Sequence, residues 1–391
     1  MSQSRTRALA IVAGSILSLT AVPMTVAAQD GSDVAWTPDP ACESDDPIVQ
    51  EAIANTISRT GVQSEWHGPS EGPAPKEGAK IVWIPTSSQN ALSVTWGEEI
   101  EKVSELLGWE YTTIDGKGTA QGWTDAMTQA IALGPDVIMY SADANTLATK
   151  NQEANDEGVT VIGIHGTALP GPQEDVGLFS NITSDPRDIG QAQADYAIAR
   201  TCGTARVVDL FDSVYQIAEF KGQAVRDRIE ECADCELLEY VDSPLSELET
   251  RQPQLCTNWA LEHGSGWQGI TVYDDIWNFC TPALADAGLG SDDVTLIASD
   301  GTEAGYARVR AGEYQTATVP EPAELQAYMA IDDAIRAMAG EAPAGWDQPV
   351  FIHFNDGIHG SNLAIEGGDQ GKFIPSVDYV AEYMKLWGIE G

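Results

Sequence analysis

The sequence predicts two tandem α/β lobes, each built on a parallel sheet with helices on both faces. Short apolar runs alternate with longer amphipathic stretches from residue 80 to residue 354, which is the pattern of strand–helix–strand units. The alternation comes in two similar series, and 391 residues are enough for two domains of ordinary size.

Residues 1–28 are predicted to be a secretory signal peptide. Arg5 and Arg7 supply positive charge, residues 8–22 form an apolar run, and residues 26–28 read Val-Ala-Ala, the small-residue pattern at which signal peptidase cuts. A membrane anchor is the alternative, and it is disfavoured because the apolar run is short and acidic residues follow it. The sequence therefore predicts export to the periplasm.

An extension, residues 29–79, precedes the first predicted strand. It contains one predicted helix at 47–59 and then the stretch HGPSEGPAPKEGAK. A stretch so rich in Pro and Gly is typical of a linker. The sequence predicts no role for this extension.

The first series supplies the elements of one lobe. Gly108, Gly134 and Gly158 each follow a predicted helix, where the chain needs a positive φ to leave it. Strands are predicted at 80–84, 110–114, 137–140, 159–164 and 178–181, with helices at 93–107, 122–133 and 146–157.

The second series supplies the other lobe and the C-terminus. Strands are predicted at 206–211, 237–241, 270–273, 294–298 and 315–319, with helices at 189–200, 219–231, 249–263, 276–287 and 303–311. A helix at 322–339, a strand at 350–354 and a helix at 379–388 complete the chain.

The composition excludes several classes of function. With 60 acidic and 20 basic residues, the net charge is −40 at pH 7, which repels nucleic-acid phosphates and anionic lipid. We therefore expect no nucleic-acid partner, whereas a cationic ligand is permitted but not required. We predict no cofactor and no metal site, and the sequence contains no P-loop or HExxH motif.

Six cysteines in an exported chain suggest up to three disulfides. The CADC motif has the spacing of a redox pair, but it follows a predicted helix instead of opening one, so its thiols lack the helix end that lowers a thiol pKa. A metal site is a further alternative that we disfavour. The cysteines are Cys42, Cys202, Cys232, Cys235, Cys256 and Cys280.

Polar and aromatic side chains gather where the predicted strands end. In open α/β sheets, ligands bind outside the carboxyl ends of the strands. Carboxylates and amides bond to vicinal hydroxyls, while flat rings cover apolar C–H faces, so this mixture predicts a sugar or polyol site. The predicted ligand-binding residues are Ser88, Asn90, Tyr140, His165, Tyr215, Glu219, Asp274, Trp277, Asp300 and Glu321.

Several of these residues also have a purely structural interpretation. Asp300 could cap the helix that follows it, and Glu219 could complement a helix dipole. His165 could be satisfied within its own loop, and Trp277 could pack in the core.

Four stretches of the sequence resemble the ribose-type periplasmic sugar-binding proteins of ABC importers. Two of them, KIVWIPTSSQNALSVTWGEEIEKVSELLGWE and ALGPDVIMYSADANTLATKNQEANDEGVTVIGIHG, resemble the first half of the first lobe. VYDDIWNFCTPALADAG and VTLIASDGTEAGYARVRAGEYQTATVPEP are similar to the family signature N-D-x-x-A…G-x-D-G…G-x-x-x-A-T-V. The resemblance covers residues 80–355 and implies the type I periplasmic binding protein fold, in which two lobes joined by three crossing strands close on a sugar.

The resemblance also implies positions in the site. The first-strand contact falls on Ser88, with Asn90 beside it. The family's Asn-Asp pair falls on Asp274 and Asp275, and its Asp-Gly aspartate falls on Asp300.

Other family positions hold different residues here. The carboxylate after the fourth strand falls on His165 and its Arg neighbour on Gly166. The second-lobe Arg falls near Glu219, and the Gln of the last crossing falls on Pro320, beside Glu321. Because Arg donors are missing, the resemblance implies a neutral polyol or a cationic compound more than a sugar acid or phosphate.

The implied topology assigns lobes and cysteine pairs. One lobe comprises residues 80–184 and 320–346, and the other comprises 185–319 and 347–391 with the last crossing. In the implied strand order Cys256 and Cys280 lie on helices of one face and are expected to pair. Cys202 is expected to pair with Cys232 or Cys235, and Cys42 with the remaining one.

The leading hypothesis is therefore a monomeric, non-enzymatic solute-binding subunit that delivers a sugar or polyol to an ABC permease. One alternative is a binding protein for a signalling molecule, nucleoside or aromatic ligand that feeds a sensor. A glycosidase using Asp274 and Asp300 as its two carboxylates is a weaker alternative.

Overall fold

The first lobe is built on a six-stranded, mostly parallel sheet. The structure is a computed structural model that describes residues 36–346, 348 and 350–389, so the predicted signal peptide lies outside it. The elements are α1 Pro47–Ser58, β1 Lys80–Ile84, α2 Ala91–Leu106, β2 Glu110–Thr113, α3 Ala120–Ala132, β3 Val137–Tyr140, α4 Ala144–Asp156, β4 Thr160–Ile164, β5 Gly171–Gln173 and β6 Leu178–Ile182. The strand order is β2-β1-β3-β4-β6-β5, and the short β5 runs antiparallel to β6.

The second lobe is built on a seven-stranded sheet. Its elements and those that follow are α5 Pro186–Arg200, β7 Arg206–Phe211, α6 Gln216–Glu231, β8 Glu236–Asp242, α7 Leu248–His263, β9 Trp267–Thr271, α8 Ile276–Asp286, β10 Val294–Asp300, α9 Glu303–Ala311, β11 Gln315–Pro320, α10 Ala323–Ala339, β12 His353–Asp356, β13 Gly360–Ser361 and α11 Tyr379–Leu386. The strand order is β13-β12-β11-β10-β9-β7-β8, with β12 antiparallel to β11. The two doubly wound lobes confirm the predicted fold class. Among the described residues, no helix is long and apolar enough to cross a membrane.

Alternation along the central strands explains why each sheet carries helices on both faces. In β1, Ile81 and Trp83 point into a core shared with α2 and α10, while Val82 and Ile84 point into a second core shared with α3 and α4. Burying each such side chain stabilises the fold by roughly 1.5–3 kcal/mol. The sheet therefore holds helices on both faces and leaves its strand ends free to form a site.

The N-terminal segment, residues 36–79, packs on both lobes. Helix α1 lies against α5 of the second lobe, where the buried Asp195 accepts hydrogen bonds from Asn55 Nδ2 at 2.8 Å and Arg228 Nε at 2.7 Å. Further along, the ring of Trp66 lies 5.2 Å from that of Trp346 and packs against the core of the first lobe. This segment therefore crosses from the second lobe to the first.

Residues 347–391, which are predicted to belong with the second lobe, contain elements that pack on each lobe. Within that range β12 and β13 join the second sheet, but Tyr379, Tyr383 and Trp387 lie in a core of the first lobe. These three aromatic residues are four positions apart and share one helix face, and the ring of Trp387 stacks on Tyr328 of α10 at 6.0 Å. The need to bury this face places the last helix on the first lobe.

The C-terminal segment, residues 357–378, connects β12 to α11 and crosses back to the first lobe. Its buried Glu366 ties it to the N-terminal segment, because the carboxylate accepts hydrogen bonds from the backbone N–H of Gln63 at 2.8 Å and of Ser376 at 2.7 Å. Two crossings are thus added to the three that the family resemblance implies. The predicted lobe boundaries stay a prediction, since these terminal segments contact both lobes.

Three disulfides are present, and one matches the expected pairing. Cys256–Cys280 joins α7 to α8 as predicted. The other expected pairs are wrong, because the structure contains Cys42–Cys202 and Cys232–Cys235. Packing of α1 on α5 brings Cys42 beside Cys202 at the end of α5. Cys232 and Cys235, three positions apart, bond to each other directly after α6.

We expect the replacement of both Cys42 and Cys202 by Ser to loosen the N-terminal segment. This disulfide links residues 160 positions apart, and removing such a link costs roughly 2–4 kcal/mol. Chemical denaturation and limited proteolysis followed by mass spectrometry would show lower stability and faster cleavage before residue 60. The matched control replaces Cys232 and Cys235, three positions apart, and should have a smaller effect. Equal effects in the two variants would contradict this role of the Cys42–Cys202 bond.

Candidate functional site

The strand ends of both lobes meet at the buried carboxylate of Glu321, which directly follows β11. Its Oε2 accepts hydrogen bonds from Ser184 Oγ at 2.9 Å and from Gln326 Nε2 at 2.8 Å. Its Oε1 lies 3.6 Å from His165 Nε2 and 3.8 Å from Lys221 Nζ. Ser184 belongs to a hinge crossing, His165 to the first lobe and Lys221 to the second. One carboxylate therefore contacts both lobes and the hinge.

Lys221 is the second lobe's cation and is absent from the predicted site residues. Its side chain is only 2% exposed, and its Nζ donates a hydrogen bond to Asp300 Oδ1 at 3.0 Å. On α6, Ile217, Lys221 and Val225 are four positions apart and all buried. A lysine in the register of a buried helix face is rare unless it is paired, so this spacing was the sequence signal for it.

His165, Lys221, Asp300 and Glu321 form what we call the charge cluster. Burial raises the pKa of the Glu321 carboxyl, but His165, Lys221 and the hydrogen bond from Ser184 outweigh burial and hold that pKa at about 2. Burial lowers the pKa of the Lys221 ammonium, but Asp300 and Glu321 outweigh it, so that pKa lies above its ordinary value. Glu321 and Lys221 are therefore both charged at neutral pH, and their pairing offsets the cost of desolvating each one.

Unusual backbone conformations place two members of the charge cluster. His165 and Asp300 have φ of 57° and 83°, and left-handed conformations cost a non-glycine residue on the order of 1–3 kcal/mol. Gly301 follows with φ 75°, and a Cβ there would lie 2.4 Å from the Cβ of Pro320. The His165 ring is held by Trp96, with ring centroids 4.8 Å apart. Surrounding contacts thus hold both strand ends in conformations that the residues would not adopt alone.

Asp274 is a structural residue in this fold, although the sequence predicts ligand contact. Its Oδ2 accepts hydrogen bonds from the backbone N–H of Gly301 at 2.8 Å and of Thr302 at 2.9 Å. Its Oδ1 accepts one from Gln315 Nε2 at 2.6 Å. Burial raises the pKa of Asp274 to about 7 against these hydrogen bonds. The side chain has no exposed surface, so it positions the loop after β10 instead of facing a ligand.

Three other predicted contacts lie away from the charge cluster. Tyr140 is fully buried in a core of the first lobe, where its hydroxyl accepts a hydrogen bond from Asn151 Nδ2 at 2.8 Å. Trp277 is fully buried and donates from Nε1 to the carbonyl of Ile297 at 3.1 Å. Glu219 is exposed on the first turn of α6. Core packing and helix-end placement account for these residues, so we remove them from the candidate site.

Ser88 and Asn90 lie on the loop between β1 and α2 and have local partners. The N–H and Oγ of Ser88 both donate to Asp115, each at 3.0 Å. Asn90 caps α2, because its Oδ1 accepts a hydrogen bond from the N–H of Ser93 at 2.8 Å. Their contact with a ligand stays a prediction, and neither residue lines the cavity described below.

Tyr215 of the second lobe reaches the first lobe. It packs against a hydrophobic cluster of that lobe, with its ring 6.4 Å from that of Trp123. Burial raises the pKa of its hydroxyl, although the nearby Thr86 side chain opposes the shift. The two lobes are therefore in contact across the cleft.

A cavity of about 280 Å³ lies beside the charge cluster and touches both lobes. Ligand pockets begin at about 300 Å³, so this cavity suits a molecule the size of a single sugar ring. Asp300 and Glu321 line it, and their contact with a ligand stays a prediction. Its walls are formed by residues 91–92 and 95 of α2, 300–303 after β10, 321 and 323–324 at the start of α10, and 370–373 of the C-terminal segment.

One group of side chains in the described residues has ligand atoms close enough to hold a metal ion. Glu239, Glu262 and His263 place one atom each within 4.8 Å of one another. The group lies on β8 and the end of α7, and none of its members lines the cavity. His263 Nε2 is already 3.2 Å from Glu239 Oε1, so an ordinary hydrogen bond on an acidic surface accounts for the group.

We expect Lys221→Met to destabilise the protein by about 3–5 kcal/mol, because it leaves two carboxylates without their buried cation. Adding Asp300→Asn removes one of those charges and should recover part of the loss. Chemical denaturation at neutral pH measures both variants. The matched control is Lys102→Met, which removes an exposed ion pair with Glu99 and should cost at most about 1 kcal/mol. A loss no larger than in the control would contradict the pairing described here.

The sequence profile of the periplasmic binding protein domain matches residues 81–342. Several solved structures share the fold. A sugar ABC transporter protein from Yersinia enterocolitica is 15% identical with a TM-score of 0.66, covering 83% of this chain and 100% of its own. A periplasmic ribose ABC transporter protein from Conexibacter woesei is 22% identical with a TM-score of 0.62, covering 74% and 94%.

The myo-inositol-binding protein of Caulobacter, bound to myo-inositol, is 19% identical with a TM-score of 0.61, covering 79% of this chain and 99% of its own. These coverages show that the three relatives are shorter than this chain. A comparison with curated proteins finds no match. The profile spans more than half of the sequence, and the two-lobed architecture agrees with it. This chain therefore belongs to the periplasmic binding protein family.

Proposed function

We propose that this protein is the solute-binding component of an ABC importer and binds a neutral sugar or polyol between its lobes. The observation that carries the proposal is the cavity of about 280 Å³ beside the charge cluster. Asp300 offers carboxylate oxygens there, and a hydrogen bond to a charged partner is worth about 1.5–3 kcal/mol. A few such bonds in a closed cleft support micromolar binding.

The charges around the cavity favour an uncharged or cationic ligand over an anionic one. Four carboxylates line it, and Lys372 is the cation among its lining residues. A sugar acid or sugar phosphate would bring a further negative charge close to these groups. The lining carboxylates are Asp300, Glu303, Glu321 and Glu324.

Closure of the lobes on the ligand supplies the signal for transport. A ligand that contacts both lobes favours the arrangement in which they meet, and Tyr215 with Trp123 makes such a contact here. Open and closed arrangements present different lobe edges to a permease, so a permease can recognise the loaded protein. Membership of the periplasmic binding protein family supports the proposal that this protein acts in the periplasm.

The site geometry supports binding without catalysis. A glycosidase needs two available carboxylates about 5–10 Å apart, and the carboxylate of Asp274 is fully buried and bonded to donors of the protein. A nucleoside or aromatic ligand that feeds a sensor is the alternative reading, and the screen below includes such compounds.

We expect a neutral sugar or polyol to raise the melting temperature of the protein. A ligand at a hundred times its Kd stabilises the folded state by about 2.7 kcal/mol, which corresponds to several degrees. A thermal-shift screen would contain pentoses, hexoses, inositols, linear polyols and nucleosides, with gluconate and a sugar phosphate as anionic counterparts. Asp300→Asn should weaken the shift, whereas Asp125→Asn, at an exposed position on α3, should leave it unchanged. Shifts from the anionic compounds alone would contradict the proposal.

A further inference from the structure

The C-terminal segment forms one wall of the cavity. The family profile ends at residue 342, so this segment, residues 357–378, lies outside it. Within it, Gln370, Gly371, Lys372 and Phe373 line the cavity opposite the start of α2. This wall lies outside the part of the chain that matches the family. It can therefore affect which ligands bind in the cavity independently of the fold that the family shares.

This wall is fixed in place by its own contacts. The carboxylate of Glu366 is bonded to the N-terminal segment and to Ser376, as described above. The backbone N–H of Ile374 donates to the carbonyl of Glu366 at 2.7 Å. Phe373 is 2% exposed, and its ring stacks on Phe351 with centroids 5.1 Å apart. Side chains on such a wall are preorganised, which reduces the entropy lost when a ligand binds.

Lys372 is the charged donor on this wall. It forms an ion pair with Glu324, and its side chain is 43% exposed. Glu324 is held from its other side by the Tyr379 hydroxyl, which donates to Oε2 at 3.2 Å. An ammonium has three donors, and Glu324 is the hydrogen-bond partner of Lys372 Nζ among the described residues. Donors thus remain for a ligand.

An acceptor lines the same cavity. The side chain of Asp300 is 14% exposed there, and its Oδ1 accepts a hydrogen bond from Lys221. A ligand hydroxyl group can donate to the Asp300 carboxylate and accept from Lys372. The cavity therefore offers a donor from the extension together with an acceptor from the second lobe.

The geometry points to Lys372 as a ligand-contacting residue that binds uncharged polyhydroxy ligands by donating to one of their hydroxyl oxygens. This inference rests on the proposed function. It makes the C-terminal extension part of the binding site and not only a cover for the first lobe.

The inference is tested by isothermal titration calorimetry with three probes: D-ribose, L-arabinose and myo-inositol. Each probe is titrated into the wild type and into the variants Lys372→Met, Lys372→Arg and Lys385→Met. Lys372→Met should raise the Kd at least tenfold for every probe that binds. The melting temperature of the ligand-free protein should change by less than about 2 °C. A purely structural role for Lys372 would not lower the affinity while leaving the stability almost unchanged. Lys372→Arg keeps a donor and should recover part of the affinity. Lys385→Met removes an exposed lysine of α11 (81% exposed) and should leave the Kd within twofold.

Two outcomes would overturn the inference in different ways. A Kd for Lys372→Met within twofold of the wild type would remove Lys372 from the site and leave the proposed function standing. Absence of binding by the wild type, for all three probes, would overturn the proposed function and this inference with it.

Discussion

A carboxylate buried at the hinge can stay ionised only if both lobes supply it with partners. Glu321 has that requirement, because its side chain has no exposed surface and a lone buried charge would cost several kcal/mol. His165 from the first lobe, Lys221 from the second and Ser184 from a hinge crossing together meet it. The left-handed backbone at His165 and Asp300 is tolerated because these contacts hold it. The cavity lies beside Glu321, next to the residues that these contacts hold in place.

The terminal extensions modify a plan that this chain shares with its family. The N-terminal segment runs from α5 of the second lobe to the aromatic core of the first, and the C-terminal segment crosses beside it. Gln63 bonds the two segments to each other, because its N–H donates to the Glu366 carboxylate and its carbonyl accepts from the N–H of Val377. Because the linked segments contact both lobes, these bonds constrain how far the lobes can open. The same C-terminal segment supplies one wall of the cavity, so the extensions affect both hinge and site.

Local patterns in the sequence predict the fold well and the site only in part. The alternation of strands and helices predicts both lobes, because the spacing of apolar residues shows which face of each strand or helix is buried. Asp300 and Glu321 are predicted from their place at strand ends, and both line the cavity, while their contact with a ligand stays a prediction. Lys221 was missed although its spacing on α6 marks it, because that spacing is interpretable only once the opposing carboxylates are known.

The remaining misses come from contacts between residues distant in the sequence. Asp274 has the sequence context of a ligand contact, but donors up to 44 residues away occupy its oxygens. The pairing of Cys42 with Cys202 depends on α1 packing against α5, which no local pattern reports. The same holds for α11, whose aromatic face is evident in the sequence while the lobe that buries it is not.

The ionisation of Glu321 tests the central claim most directly. Carbon-13 NMR of the glutamate carboxyls, with the Glu321 signal assigned by its loss in Glu321→Gln, would give the pKa of this group in the folded protein. We predict a value of about 2, below the value of about 4.3 in an unfolded chain. Because the folded pKa is the lower one, the stabilisation is fully present above about pH 4.3 and is lost as the pH falls towards 2. A pKa at or above 4.3 would contradict the account, since the carboxylate would then lack its paired cations.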